Sequence, residues 1–413
     1  MATEFNDLSI QGNPYADSFH NLIKNQGANF ATGVPCGVLR YFIQNFEKDN
    51  NFLYIPGQNE PESIGIAAGA YLGGKSPLIY MQNSGLLKSI NEIGSLLLPY
   101  HLPVLFIVAY RGCEGEDAPQ HFITGGITNH TLKGLDIFHT ELEEDNIEQV
   151  VADTYKFMRE KNKPAVILIK RGWSSHNPHE SRSEDQKNNA FLEQIEKQEN
   201  NSYDFQSIAL NMCSRMINRS NYTNHKLMKR EEAIDAVMDA ITPQHAVFST
   251  TGLISRSIYE RYDAPNQFYN PGAFGMVSSI GLGFACARID KRSVVVDGDS
   301  SLLTNFGTLV TIGNYQPKNL THVVIDNNAY ASCSEEKSCS DKANFPFVAA
   351  LQGYPLIYIV NTSAELNKAV KESFSKPGPS FIHAKIGLGG RRDFKRPLDL
   401  PYIAERFKQY FKE

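Results

Sequence analysis

The sequence predicts an α/β protein built from two doubly wound parallel sheets. Short apolar runs alternate with longer helical patterns along both halves of the 413-residue chain. Strands that are separated by helices pair in parallel and carry helices on both faces of the sheet. A chain of 413 residues is also too long for one ordinary core, which is a second reason to expect two or three domains.

The chain divides into two α/β halves that are joined by a polar segment. Residues 1–175 form the first half, with strands expected at 52–55, 77–81, 103–109 and 165–170 and helices at 63–71, 86–98 and 147–161. Residues 230–413 form the second half, with strands expected at 246–249, 293–297, 320–326, 356–360 and 380–384. Residues 176–229 are rich in polar side chains and predict a linker, with 191–197 and 205–217 as its candidate helices.

Charge and cysteine content argue against several classes of function. A net charge of −5 and a pI near 6.1, with Lys and Arg scattered along the chain, give no basic surface for nucleic acid. The six cysteines form no CxxC pair, which argues against a zinc ribbon or a disulfide scaffold. No apolar stretch reaches the length of a membrane span, and residues 1–7 are polar. We therefore expect a cytoplasmic protein whose partners include neither nucleic acid nor a membrane.

Two polar motifs at expected strand ends form a candidate site for an anion and a metal ion. Asp297-Gly298-Asp299-Ser300 follows the apolar run 294–296, and Asp326-Asn327-Asn328 follows the run 322–325. Carboxylate and amide oxygens suit a small hard cation such as Mg²⁺. Gly298 lets a phosphate approach the backbone, and a helix that begins at Ser301 would direct free N–H groups towards it. The spacing alone also fits two ordinary turns, because turns prefer the same residue types.

The two motifs together resemble the thiamine diphosphate signature, which is Gly-Asp-Gly followed after a spacer by Asn-Asn. The resemblance implies thiamine diphosphate and Mg²⁺ as cofactors. The implied metal ligands are Asp299, the Asn327 side chain and the Ala329 carbonyl. The implied cofactor-binding residues of this region are Gly298, Asp299, Ser300, Ser301, Asn327 and Tyr330. Ser300 is a departure, since it stands where the signature has its third glycine.

Thiamine enzymes also need a carboxylic acid beside the aminopyrimidine ring, where a strand passes into a helix. Glu60 fits this position, and the resemblance makes it both a catalytic and a cofactor-binding residue. The small residues 67–70 that follow resemble the family's stretch after its catalytic glutamate. The alternative is that Glu60 and Glu62 are first-turn acids that complement a helix dipole, with Pro61 at the first helical position.

Two further turns are candidates for cofactor contacts. In thiamine enzymes a bulky apolar residue beside a glycine supports the bent cofactor, and Phe274 or Met276, on either side of Gly275, resembles it. The alternative is that both are core residues at the end of a loop. Thr251 and Gly252 end the first strand of the second half, where they can receive the far end of a diphosphate. The alternative is that Thr251 and Gly252 belong to a helix cap, because helix caps have the same composition.

Several segments narrow the resemblance to phosphonopyruvate decarboxylase and, more distantly, to sulfopyruvate decarboxylase. They are residues 32–35, 80–86, 111–112, 117–121 and 311–315, and the likeness covers roughly 15–175 and 230–400. It implies the thiamine diphosphate-binding fold, with a pyrimidine domain, a diphosphate domain and no middle domain. It also implies non-oxidative decarboxylation of 3-phosphonopyruvate. Residues 331–336 depart from the family pattern, so a sulfopyruvate decarboxylase, a carboligating enzyme and a non-catalytic relative remain alternatives.

A substrate of this kind is a 2-oxo acid with a second anionic group, which needs cationic or N–H donors. The arginine candidates are Arg111, Arg256, Arg391 and Arg396, although each alone can be an ordinary surface residue. The resemblance places Gln120 and His121 near the substrate, as catalytic candidates. Asn83 and Ser84 stand on a tight strand-to-helix turn, from which they can contact either the cofactor or the substrate. A lone histidine is more often structural, so His121 depends on its context in 117–121.

The resemblance also implies a homo-oligomer. In the family's fold the glutamate of one subunit's pyrimidine domain meets the cofactor on another subunit's diphosphate domain. Each active site then needs at least two chains, and the interface between them should be large and apolar.

Overall fold

The computed structural model describes residues 13–113, 118–171, 216–219 and 227–412, which form two parallel sheets with flanking helices. The first sheet contains β1 Phe30–Gly33, β2 Leu53–Tyr54, β3 Pro77–Gln82, β4 Leu105–Tyr110, β5 Phe138–Glu141 and β6 Ala165–Lys170. The second contains β7 Met216–Arg219, β8 His245–Ser249, β9 Gln267–Tyr269, β10 Arg292–Gly298, β11 Leu320–Asp326, β12 Leu356–Val360 and β13 Ser380–Lys385.

Helices connect the strands in both halves. In the first half they are α1 Pro14–Asn25, α2 Arg40–Lys48, α3 Glu60–Leu72, α4 Asn83–Lys88, α5 Ile90–Glu92, α6 Phe122–Gly134 and α7 Ile147–Lys161. In the second they are α8 Arg230–Met238, α9 Leu253–Tyr262, α10 Val277–Ala287, α11 Asp299–Thr304, α12 Thr308–Tyr315, α13 Ser340–Ala343, α14 Phe345–Leu351, α15 Ser363–Phe374 and α16 Leu400–Tyr410. Gly37–Leu39 and Pro119–His121 form 3₁₀ turns. Within the described ranges, no helix is long and apolar enough to span a membrane.

The prediction of two doubly wound parallel sheets is confirmed. The strand orders are β2-β1-β3-β4-β6-β5 in the first sheet and β7-β12-β13-β11-β10-β8-β9 in the second, and the described neighbours pair in parallel. All residues of β4 and β11 are buried, as expected for central strands that carry helices on both faces.

Some elements differ from the sequence-based expectations. The strands β1, β5 and β9 were not predicted, because each has only three or four residues and no long apolar run. The expected helix 86–98 is divided among α4, α5 and a π-helical turn at Ile93–Leu97. The strand β7 lies inside the predicted linker and pairs with β12, so the helical expectation is wrong for residues 216 and 217. The candidate helix 191–197 and residues 205–215 lie outside the described ranges.

The two halves meet through a close crossing of α3 and α10. A Cβ added at Gly69 of α3 would lie 1.9 Å from the Ile280 carbonyl oxygen, and one at Gly283 of α10 would lie 1.9 Å from the Ile66 carbonyl oxygen. No side chain fits at either position, so the two helices touch through their backbones. This contact fixes the first sheet against the second.

Candidate active site

The predicted diphosphate and metal residues meet in one pocket at the carboxyl edge of the second sheet. The chain leaves β8 towards β9 on one side and leaves β10 towards β11 on the other, so a crevice opens between β8 and β10. The lining of this cofactor pocket includes Thr250, Thr251, Phe274, Gly298, Asp299, Ser300, Ser301, Asn327, Ala329 and Tyr330. The helix α11 begins at Asp299, two residues earlier than predicted.

Asp299 is the buried carboxylate of this pocket, with 3% of its surface exposed. Burial raises its pKa to about 6, and the hydrogen bond that the Ser338 hydroxyl donates to Oδ2 opposes the rise. The Asn327 Oδ1 accepts from the Ala329 N–H at 3.1 Å, and the Ser300 hydroxyl lies 3.4 Å from the Ala329 carbonyl oxygen. One carboxylate, one amide and one carbonyl oxygen therefore line the same pocket. These donors fit Mg²⁺, which prefers oxygen ligands and keeps only a few from the protein.

Gly298 leaves space in the pocket for a ligand to lie against the backbone. An added Cβ would lie 3.4 Å from Ile254 Cδ1 and 3.9 Å from Thr250 Cγ2, which are ordinary contacts. The backbone is extended at φ −117°, a conformation that any residue adopts. Nothing described within the chain therefore requires glycine here. The space that a Cβ would fill suits a phosphate group, so the pocket fits a diphosphate.

We expect Gly298→Ala to weaken thiamine diphosphate binding by about tenfold or more, because the methyl group would occupy the place of a phosphate oxygen. The melting temperature without cofactor should change little. Thermal unfolding with increasing thiamine diphosphate and Mg²⁺ measures both quantities. Gly134→Ala, where a Cβ would meet nothing within 4 Å, is the matched control. Equal cofactor-induced shifts in the two variants would remove Gly298 from the binding site.

Asp326 anchors strand ends and lies beside the metal candidates. Its carboxylate accepts from His383 Nε2 at 2.8 Å, Lys385 Nζ at 3.0 Å and the Ser340 hydroxyl at 2.8 Å. Burial raises the pKa of Asp326, but His383 and Lys385 outweigh this effect and hold the pKa well below its usual range. The oxygens of Asp326 are therefore already bonded within the chain. Of these two residues, Asn327 lines the pocket.

The two apolar candidates for supporting the cofactor have different environments. Phe274 lines the cofactor pocket, whereas Met276 is 3% exposed and belongs to the hydrophobic core. The geometry therefore favours Phe274 and does not support a cofactor contact by Met276. Gly275 has a φ of +90°, which explains a glycine in this turn. The Thr251 hydroxyl donates to the Pro271 carbonyl at 2.6 Å, and Gly252, with a φ of +93°, caps α9.

Glu60 and Glu62, on the same helical turn, lie in different surroundings. The side chain of Glu60 is 18% exposed, and its Oε2 lies 3.2 Å from Lys88 Nζ. A Cβ at Gly85 would lie 2.4 Å from Glu60 Cγ, so the glycine makes room for this side chain. Glu62 is fully buried and accepts from the Gln58 N–H at 2.7 Å, and burial raises its pKa. Glu60 is therefore the acid that a ligand can reach.

The remaining first-half candidates lie along the carboxyl edge of the first sheet. Asn83 is fully buried, and its amide donates to the Arg111 carbonyl at 2.9 Å and to the Thr128 hydroxyl at 3.1 Å. Asn83 therefore holds the end of β4 in place, and its position does not support a substrate contact. Ser84 accepts from Gln82 Nε2 at 2.8 Å.

Gln120 and His121 lie in the 3₁₀ turn that follows this edge. A Cβ at Gly112 would be 2.1 Å from the His121 carbonyl oxygen, so the turn packs against the residue that follows Arg111. Asp117 lies outside the described residues. The structure thus brings Arg111 and His121 together, but it does not bring them to the cofactor pocket of the same chain. That pocket is lined entirely by residues after 229 in the part of the chain that the structure describes.

Three residues near these sites were missed by sequence reasoning. Arg230, which is 4% exposed, lines the cofactor pocket and pairs with Glu231 at 2.6 Å. It stands in the charged run 229–232, a pattern that is typical of a solvent-exposed first turn of a helix. Ser338 bonds to Asp299 and Lys88 pairs with Glu60, but neither belongs to a motif that sequence reasoning would single out.

Known proteins resemble this chain, some over nearly its whole length and others over parts of it. A phosphonopyruvate decarboxylase from Streptomyces viridochromogenes is 29% identical over 388 residues, which cover 93% of this chain and 91% of that protein. From Methanothermobacter thermautotrophicus, sulfopyruvate decarboxylase subunit beta is 34% identical over 181 residues, which cover 44% of this chain and 94% of the subunit. Subunit alpha of that organism is 34% identical over 148 residues, covering 36% of this chain and 90% of the subunit.

A family model and a solved structure agree with these relatives. The model described as thiamine pyrophosphate enzyme, C-terminal TPP binding domain, matches residues 250–384, which contain most of the cofactor pocket. The thiamine diphosphate-dependent 4-hydroxybenzoylformate decarboxylase of Rhodococcus jostii RHA1 has a TM-score of 0.68 at 11% identity and covers 91% of this chain and 99% of that chain. The fold is thus the predicted thiamine diphosphate-binding fold. The chain belongs to the family of thiamine diphosphate-dependent phosphonopyruvate and sulfopyruvate decarboxylases, which are carboxy-lyases.

Proposed function

We propose that the chain catalyses the Mg²⁺-dependent, non-oxidative decarboxylation of 3-phosphonopyruvate to phosphonoacetaldehyde and CO₂. The observation that carries the proposal is the cofactor pocket, where the space beside Gly298 adjoins the buried carboxylate of Asp299. The likeness to a phosphonopyruvate decarboxylase over 93% of the chain supports the choice of substrate.

Residues of the second half hold the cofactor in this proposal. Thiamine diphosphate, when bound, would supply a nucleophilic carbon and an electron sink for the decarboxylation. Asp299, Asn327 and the Ala329 carbonyl would hold Mg²⁺, which would supply positive charge beside the diphosphate. The other contacts to the cofactor come from Thr251, Gly252, Phe274, Gly298, Ser300, Ser301 and Tyr330.

Residues of the first half provide the acid and base groups. The Glu60 carboxyl, at the start of α3, would hydrogen-bond the aminopyrimidine ring, a role for which its partly exposed side chain is accessible. His121 and Gln120 hold the substrate and move a proton at the carbon from which CO₂ has departed. Ser84 and Arg111 lie along the same edge and orient the 2-oxo acid.

The active site forms between chains in this proposal. Asp299 lies in the cofactor pocket at the edge of the second sheet, and Glu60 begins α3 in the first half, outside the lining of that pocket. A second copy of the chain supplies Glu60 to the pocket, so the functional unit is a homo-oligomer of at least two chains. The pyrimidine-binding domain corresponds to residues 1–175 and the diphosphate-binding domain to residues 230–413, with 176–229 between them.

Sulfopyruvate is the second candidate substrate, because two subunits named for its decarboxylation are 34% identical to parts of the chain. Phosphonate and sulfonate are both tetrahedral anions that a guanidinium binds. Parallel incubations with phosphonopyruvate, sulfopyruvate and pyruvate, in which CO₂ and free aldehyde are measured, separate the candidates. We expect phosphonopyruvate to react fastest. A faster reaction with sulfopyruvate would make sulfopyruvate the assigned substrate. Release of no CO₂ from any of the three compounds would refute decarboxylation.

Saturating Mg²⁺ and thiamine diphosphate should raise the melting temperature, because a ligand that binds only the folded state stabilises it. At a cofactor concentration of 100 times Kd the stabilisation is about 2.7 kcal/mol. Differential scanning fluorimetry with and without each cofactor measures it, with thiamine as the control that lacks the diphosphate. An unchanged melting temperature would contradict the assignment of the pocket.

A further inference from the structure

A second pocket adjoins the cofactor pocket and contains two arginines. Its volume is about 310 Å³, which is ample for a small anion. It shares Thr251, Phe274, Tyr330 and Ser332 with the cofactor pocket, so the two pockets lie side by side. Arg256 and Arg396 belong to the lining of the second pocket alone. We propose that Arg256 and Arg396 together bind the second anionic group of the substrate, its phosphonate or sulfonate, and thereby set specificity.

This inference rests on the proposed function and names the part of the site that recognises the substrate. Among the described residues, neither Arg256 nor Arg396 forms an ion pair with a carboxylate. Burial lowers the pKa of Arg256, and the charge of Arg396 lowers it further, so the two cations lie near enough to repel each other. Arg256 is half-buried and Arg396 is exposed, and two neighbouring like charges are unfavourable unless an anion joins them.

The surrounding contacts keep the two arginines beside the same pocket. Arg256 and Glu260 are four residues apart in α9 and therefore lie on one face of the helix. Glu260 accepts from the Lys395 N–H at 2.7 Å and pairs with Arg391 at 2.8 Å. The segment that carries Arg396 is thus attached to the helix that carries Arg256.

Neighbouring arginines are occupied by other contacts. Arg391 pairs with Asp393 at 2.6 Å as well as with Glu260, so its prediction as the substrate anion ligand is not supported. Arg392 donates to the Ala331 carbonyl at 2.9 Å and to the Cys333 carbonyl, and therefore holds the loop 331–335 in place. Arg256 and Arg396 remain as the cations of the second pocket that can accept a ligand.

The chemistry of the pair fits a tetrahedral oxyanion. Each guanidinium can donate two parallel hydrogen bonds, and two forks can hold three oxygens of a phosphonate or sulfonate. In the proposed substrates this group is joined to the 2-oxo group through one methylene. Pyruvate lacks the group and gains nothing from the pair. The arginines therefore favour substrates that carry a second anion over simple 2-oxo acids.

The test compares Arg256→Gln and Arg396→Gln with the matched control Arg261→Gln. Arg261 lies on α9, as Arg256 does, and its guanidinium pairs with Asp235. Each of the first two variants should raise KM for phosphonopyruvate and sulfopyruvate by about 10- to 100-fold, since each removes charge-assisted hydrogen bonds. The kcat/KM for pyruvate should remain within about twofold, because pyruvate has no group for the pair. The ratio of kcat/KM for phosphonopyruvate to kcat/KM for sulfopyruvate identifies the natural substrate.

A binding measurement tests the pair independently of turnover. Inorganic phosphate should bind the cofactor-loaded wild-type protein in a calorimetric titration, and Arg256→Gln should abolish that binding while Arg261→Gln retains it. Unchanged KM values in Arg256→Gln and Arg396→Gln, or phosphate binding that survives in Arg256→Gln, would overturn the inference although decarboxylation itself stands. If the wild-type protein releases no CO₂ but binds phosphate through these arginines, the proposed reaction fails and the anion site is upheld.

Discussion

Replacement of Glu60 by glutamine is expected to lower kcat by about 10²- to 10⁴-fold while cofactor binding remains measurable. Glutamine has nearly the same shape, so it fits the space that Gly85 leaves and should not disturb α3. It lacks the ionisable proton that a catalytic acid needs. Steady-state decarboxylation and the cofactor-induced melting shift, measured on the same preparation, separate loss of chemistry from loss of binding.

The control for this prediction is Glu148→Gln, because Glu148 is an exposed first-turn acid of α7. If Glu60 only complemented a helix dipole, both substitutions would lower stability by a few tenths of a kcal/mol and neither would change kcat. Unchanged turnover in Glu60→Gln would remove this residue from the mechanism. A large loss in Glu60→Gln alone supports the assignment.

Two inactive variants, Glu60→Gln and Asp299→Ala, are expected to restore activity when their chains are combined. If each site takes Glu60 from one chain and Asp299 from another, a mixed dimer contains one intact site and one doubly altered site. Random mixing produces mixed dimers as half of the population, so about a quarter of wild-type activity should return. Asp299→Ala alone should be inactive, because it removes the carboxylate that we propose as a ligand of Mg²⁺.

Co-expression of the two variants with different affinity tags, followed by sequential purification, isolates the mixed species. Its specific activity should be about half that of the wild type per dimer. The control combines Glu60→Gln with Glu60→Gln that carries the other tag, which should remain inactive. No recovery in a verified mixed dimer would show that Glu60 and Asp299 act within one chain, or that the assignment of either residue is wrong.

Residues that end buried strands are those whose convergence in space could be predicted from the sequence. Asp299 and Asn327 follow β10 and β11, and the carboxyl ends of neighbouring parallel strands meet at one edge. Their convergence therefore follows from local patterns. Ser338 contacts Asp299 across 39 residues, and its position depends on the path of the loop that follows β11. No periodicity along the sequence encodes such a path.

The arginines illustrate a second limit of sequence reasoning. Arg391 and Arg396 are five residues apart on a segment without regular structure, and residue type alone makes them equal candidates. The carboxylate of Glu260, more than 130 positions earlier in the chain, pairs with Arg391 and leaves Arg396 beside Arg256. Which cation stays available to a ligand is thus decided by a tertiary contact.

The backbone contact between α3 and α10 has a consequence for assembly. Because Gly69 and Gly283 let α3 and α10 pack through their backbones, Glu60 at the start of α3 has a defined position relative to the second half, which carries Asp299. When two identical bodies dock about a two-fold axis, completing one site completes its symmetry mate in the same event. Active sites would then arise only in pairs, and cofactor affinity should rise with protein concentration over the range in which the chains associate.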